Sequence, residues 1–88
     1  MKNAPEIATT LHDRAIRLRE LGRHTQSEAL FRQALELRTQ TLGSTHADVA
    51  QTMNFLANLL HQQGRNAEAE PLYGLSDLNY NNDSGTVD

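Results

Sequence analysis

Two stretches of this chain, LGRHTQSEALF from Leu21 to Phe31 and QGRNAEAEPLY from Gln63 to Tyr73, are near-copies of each other. Setting Gly22 on Gly64 gives an offset of 42 residues, and eight of the 28 positions from Ala4 to Phe31 are then identical in the second copy. In the first copy these are Ala8, Thr10, Ala15, Leu18, Gly22, Arg23, Glu28 and Leu30; Glu6/Asp48, Ile7/Val49, Leu11/Met53 and Phe31/Tyr73 are conservative pairs. Chance gives roughly two identities, and a fixed period in this range is the signature of one supersecondary unit stacked on itself. A repeat of this kind restricts the fold more than any composition does, because each copy must adopt the same local structure and bury its apolar face against the next.

The unit is a helix, a tight turn and a second helix. Ile7, Ala8, Leu11, Ala15 and Leu18 recur at steps of three and four, as do Val49, Ala50, Met53, Ala57 and Leu60, giving stripes of helical period. Pro5 suits a first helical turn, and Gly22 and Gly64 suit the left-handed position just past a helix end. Thr25 with Glu28 offers a capping box for the second helix, and Thr45 with Asp48 offers a start for the third. The expected helices are 5–21, 26–42, 47–63 and a shortened fourth over 67–78. Ala15 and Ala57 are small where a bulky side chain would push paired helices apart. Leu30, Phe31, Ala34 and Leu35, and later Tyr73, face them from the opposing helix, so small and large residues interdigitate.

With 88 residues the chain is one small domain, which buries only about 60–65% of its unfolded surface. It has no cysteine, so disulfides, thiolate metal sites and cysteine nucleophiles are excluded. The opening residues carry no apolar run of a signal peptide, and no later run reaches membrane-spanning length, so a soluble, cytoplasmic chain is expected. A net charge of −3 argues against a nucleic-acid binder. Arg14, Arg17, Arg19 and Arg23 lie near the end of the first helix, where they complement its dipole, and no aromatic neighbour in sequence offers a stacking platform for bases. His12, His24, His46 and His61 form no HExxH pattern and no i, i+4 pair, so no metal, cofactor or catalytic group is expected. No phosphate loop and no nucleophile–base arrangement stands out either.

The stretch HADVAQTMNFLANLLHQQGRNAEAEPLY resembles a tetratricopeptide repeat of the 42-residue variety found in kinesin light chains and many bacterial repeat proteins. Ala57, Leu60, Gly64, Ala69, Leu72 and Tyr73 carry the likeness in the second copy; Ala15, Leu18, Gly22, Leu30, Phe31 and Ala34 carry it in the first. The first copy departs at Arg14, His24 and Ser27, where leucine, an aromatic and alanine are usual. The resemblance implies an all-α fold of antiparallel helical hairpins stacked as a short right-handed solenoid. Repeat 1 then covers about 5–45 and repeat 2 about 46–80, together a domain over 1–80, with NNDSGTVD a disordered tail over 81–88.

The same resemblance implies a protein-interaction module whose concave groove, lined by the first helix of each hairpin, holds a peptide or helix of a partner. The matching groove positions are Thr9, His12, Asp13, Ile16 and Arg19 in the first copy, and Gln51, Asn54, Phe55, Asn58 and His61 in the second. Asn54 and Asn58 lie four apart, so both project from one helix face with amide donors and acceptors. A clamp for a terminal carboxylate is not expected, because Lys2 is the only lysine and Ile16 stands in the groove. A second reading is self-association, or a piece of a larger array. After Tyr73 the echo stops at GLSDLNYNNDSG, whose glycines and asparagines form helix poorly. Leu35 and Leu37 are expected to meet the following hairpin, while Leu75 and Leu78 have nothing after them and would pair with a second copy. A third reading is nucleic-acid binding through the arginines.

Overall fold

A computed structural model describes residues 3–74 of the chain. It is all-α: α1 spans Ala4–Glu20, α2 His24–Leu42 and α3 Ala47–Gln62, and 66–74 form a fourth helical segment, α4, at the end of the described residues. The short turns make successive helices antiparallel neighbours. α2 packs on α1 and α3 packs on α2, which gives hairpins stacked as a short helical solenoid. The expected end of the fourth helix at 78, the expected tail over 81–88, and Leu75 and Leu78 lie outside the described residues.

The two turns are copies of each other. After α1, Gly22 has φ +80°, its N–H donates to the Arg19 carbonyl at 3.0 Å, and the Arg23 N–H donates to Leu18 at 2.9 Å. After α3, Gly64 has φ +79°, its N–H donates to His61 at 2.9 Å, and the Arg65 N–H donates to Leu60 at 2.9 Å. Each is a paired six-to-one and five-to-two closure around a left-handed residue, which glycine adopts without the Cβ penalty. The identical Gly–Arg dipeptide is thus two residues of one backbone device repeated at the sequence period.

The helix starts differ from the sequence expectation. The α1 cap is Asn3, whose carboxamide oxygen accepts the Glu6 N–H at 3.1 Å, with Pro5 in the first turn. No Thr25–Glu28 capping box forms. The closure after α1 delivers the chain straight into α2 at His24, Arg23 stands at the cap without a side-chain bond, and the Glu28 carboxylate turns to Arg65 and Arg32 instead. At α3 the cap is His46 rather than Thr45: its Nδ1 accepts the Asp48 N–H at 3.0 Å.

The core is centred on α3. Ala15, Phe31, Leu56, Ala57, Leu59, Leu60 and Ala69 form one fully buried cluster. Leu56 and Leu59 lie outside the sequence-derived stripe yet are fully buried, because α3 meets α2 on one side and the α4 residue Ala69 on another. A helix enclosed in this way is apolar around most of its girth. At the small positions, the buried Ser27 hydroxyl donates to the Ala15 carbonyl at 2.6 Å. Ser27 therefore replaces the usual alanine without leaving an unpaired buried hydroxyl.

Candidate functional site

On α1 the buried residues are Ala8, His12 and Ala15; on α2 they are Ser27, Phe31, Ala34 and Arg38. Both sets follow steps of four and three, so His12 and Arg38 occupy the packed seam by helical register. His12 is therefore corrected from a groove position to a core one. It is 4% exposed, its ring meets Phe31 edge-on at 5.4 Å and Phe55 at 4.9 Å, and Phe31 and Phe55 stack at 5.9 Å. The two phenyl rings and the imidazole tie α1, α2 and α3 together.

Arg38 is the residue that sequence reading missed. It is only 6% exposed, and no carboxylate among the described residues lies within ion-pairing distance. Its guanidinium instead donates to the Thr52 hydroxyl at 2.8 Å, the Asp48 carbonyl at 3.2 Å, the Gln51 carboxamide at 3.4 Å and the Thr9 hydroxyl at 3.5 Å. A fork of five N–H donors can hold several neutral acceptors at once, which a lysine could not do with the same geometry. Thr9 and Gln51, both at groove positions, are thereby anchored from below. The signal was present: Arg38 continues the four-three spacing of Ser27, Phe31 and Ala34.

The other groove candidates divide by exposure. Asp13, Gln51, Asn58 and His61 are exposed, and Ile16, Arg19, Asn54 and Phe55 are half-buried. The Arg19 guanidinium lies 5.4 Å from the centre of the Phe55 ring, a cation–π contact that joins α1 to α3. The aromatic partner absent from the arginine-rich stretch of sequence is thus supplied by the next hairpin. Ile16 packs at the edge of the core. The Tyr73 hydroxyl donates to the Asn58 carboxamide oxygen, and His61 Nδ1 lies 2.6 Å from the Asn66 carboxamide oxygen. The face therefore brings together the Phe55 ring, the Asn54 and Asn58 carboxamides and the Arg19 guanidinium.

The site's electrostatics place a proton-sensitive group against the Phe55 ring. Burial, then the Arg38 charge, hold the His12 imidazole below its ordinary value of 6.5, against the weaker opposing pull of Asp13 and Asp48. Because the folded value is depressed, stability is fully present above 6.5 and is lost as pH falls through 6.5 towards the folded value, where the unfolded chain binds the proton first. The melting temperature is expected to fall between about pH 7.5 and 5.5, and His12→Asn is expected to flatten that interval. Unchanged pH dependence in the variant would show that another group carries it. Glu28, depressed chiefly by its hydrogen bond to Arg65, acts in a separate window below 4.5.

That Arg65–Glu28 contact closes the second hairpin onto the first. The two side chains approach to 2.6 Å across 37 residues of sequence, with Glu68 and Arg32 completing a network of four charges. No helix among the described residues is long and apolar enough to cross a membrane. No group of three potential metal ligands occurs among them. Comparison with curated proteins finds no match. Comparison with family profiles does: residues 6–75 match the tetratricopeptide repeat, a span that takes in both copies of the sequence repeat. A sequence period of one hairpin, two identical glycine closures and a match over most of the chain lead to one conclusion: this chain belongs to the tetratricopeptide repeat family.

Proposed function

We propose that the face built by α1 and α3 binds an extended peptide or a helix of a protein partner, and that the chain acts as an interaction scaffold rather than an enzyme. The observation that carries this reading is the pair Asn54 and Asn58, four residues apart on one helix beside Phe55 and Arg19. Carboxamides at that spacing can bracket a peptide bond with a donor and an acceptor, while the ring and the guanidinium take a side chain. Tyr73 fixes the Asn58 amide and Arg38 holds Gln51, so little side-chain entropy remains to be lost on binding. The family supports it at the coarse level, because tetratricopeptide repeats are protein-binding scaffolds without catalytic machinery of their own.

The test is selection of binders from a random peptide library displayed on phage, followed by titration of the winning peptides. Asn54→Ala, which removes no hydrogen bond or ion pair among the described residues, is expected to weaken binding by about 0.5–1.5 kcal/mol, roughly two- to tenfold. Peptides that bind Asn54→Ala and Phe55→Ala as tightly as the unaltered chain would place the binding surface elsewhere.

A further inference from the structure

Three helices meet at one hydroxyl. Thr52 of α3 is fully buried between His12 of α1 and Arg38 of α2. Its oxygen accepts an Arg38 Nη1–H at 2.8 Å, and its single proton can serve His12 Nδ1 at 3.3 Å or the Asp48 carbonyl at 3.2 Å. With a neutral imidazole the arrangement closes without conflict, because Nδ1 can accept. The same guanidinium reaches Gln51 through Nη1 and Thr9 through Nη2. Those two exposed side chains stand one on α3 and one on α1, so Arg38 links both helices of the peptide face.

We propose that His12 is a proton-operated latch on this face: a proton taken up by its imidazole drives Arg38 off Thr52, frees Gln51 and Thr9, and weakens partner binding as the pH falls. The proposal rests on the peptide-binding reading of α1 and α3 and adds its regulation. An imidazolium carries hydrogen on both nitrogens, so Nδ1 can then only donate towards the oxygen that Arg38 already holds. Two like charges meet on one neutral oxygen in a buried seam, where repulsion is screened least. The charges around the imidazole do not offset this. Asp13 on α1 and Asp48 on α3 favour the imidazolium, but less than burial and Arg38 oppose it, and Arg19 beyond Phe55 is another cation. The Phe31 and Phe55 rings pack against the imidazole, so the guanidinium, on a longer stem, is the group that yields. The latch is therefore closed at neutral pH and opens below 6.5.

Two readouts on the whole chain test this. The first needs no peptide: NMR follows the Arg38 Nε–H and the Gln51 carboxamide resonances from about pH 8 to about pH 5. Both should shift with the midpoint of the His12 imidazole, and His12→Asn, which sets a non-titrating carboxamide near the Nδ1 position, should abolish the shift. Resonances that ignore that midpoint would overturn the latch, whatever the face binds. The second readout titrates phage-selected peptides whose binding Asn54→Ala weakens, with circular dichroism fixing the folded fraction at each pH. Affinity should fall about two- to tenfold from about pH 7.5 to 5.5, tenfold being the ceiling for an imidazole held below 6.5. The fall should persist in His61→Gln, which removes the exposed imidazole of the same face, and vanish in His12→Asn. A pH dependence that follows His61 instead, or equal affinity at both pH values, would overturn the proposal. If no selected peptide responds to Asn54, the groove reading fails by itself, and the peptide-free titration still decides whether His12 moves Arg38.

Discussion

Arg38→Ala is expected to destabilise the fold by about 2–4 kcal/mol, which lowers the melting temperature of a domain this size by roughly 10–30 °C. Two effects oppose each other at this residue. Removing a buried cation that has no counter-charge relieves its desolvation. Against that, truncation strips the donors from the Thr52 hydroxyl and the Asp48 carbonyl and opens a cavity where α1, α2 and α3 meet. The second effect wins because the guanidinium lies close under a wet rim: its partners Thr9 and Gln51 are exposed, so the charge is only partly desolvated. Arg38→Met separates the contributions by keeping the stem and discarding the fork. If the methionine variant melts at or above the unaltered chain, desolvation outweighs the hydrogen bonds and the argument fails. Both variants should also let the His12 pKa recover towards 6.5, because the second cause of its depression is gone. The titration of the imidazole followed by NMR reads that directly.

The contrast between Arg38 and the glycines shows what a sequence of this kind makes legible. Gly22 and Gly64 could be placed because a left-handed closure admits few residue types, and the repeat supplied two instances of the same closure. Ala15, Phe31 and Ala57 were placed because their size alone determines where helices can approach. His12 and Arg38 defeated the same reasoning. The family resemblance put His12 in the groove and Arg38 drew no reading at all, although the register of each puts it on the seam, where it is satisfied by a group distant in sequence. The Thr52 hydroxyl that serves both comes from the next hairpin, 40 residues from His12. Leu56 and Leu59 were missed for a related reason: their burial follows from α3 being enclosed, a property of the stack and not of one helix. The spacing of Asn54 and Asn58 on one helix face was legible, but the anchoring of Asn58 by Tyr73 and of Gln51 by Arg38 was not, since both bonds cross between helices.

Enclosure also makes the two small alanines unequal, although the sequence presents them as equivalents. Ala57→Leu is expected to cost about 1–3 kcal/mol, and Ala15→Leu less. Ala57 is fully buried on the central helix, in one cluster with Phe31, Leu59, Leu60 and Ala69. Added methylenes there must displace α2 or α4, and moving either strains the Arg65–Glu28–Glu68–Arg32 network that spans them. Ala15 is fully buried too, but among the described residues α1 packs mainly on α2, so α1 can slide outward and relax part of the overpacking. Ser27→Ala supplies the scale for a tolerated change at the same seam. It deletes the hydroxyl and leaves the Ala15 carbonyl to its own helix, and the second repeat already has Ala69 at that place, so its effect should stay within about 1 kcal/mol. Thermal melts of the three variants give the ordering. Equal costs at Ala15 and Ala57 would mean that α1 is held as firmly as α3, and an inconsequential Ala57→Leu would mean that α3 is not the enclosed helix of the stack.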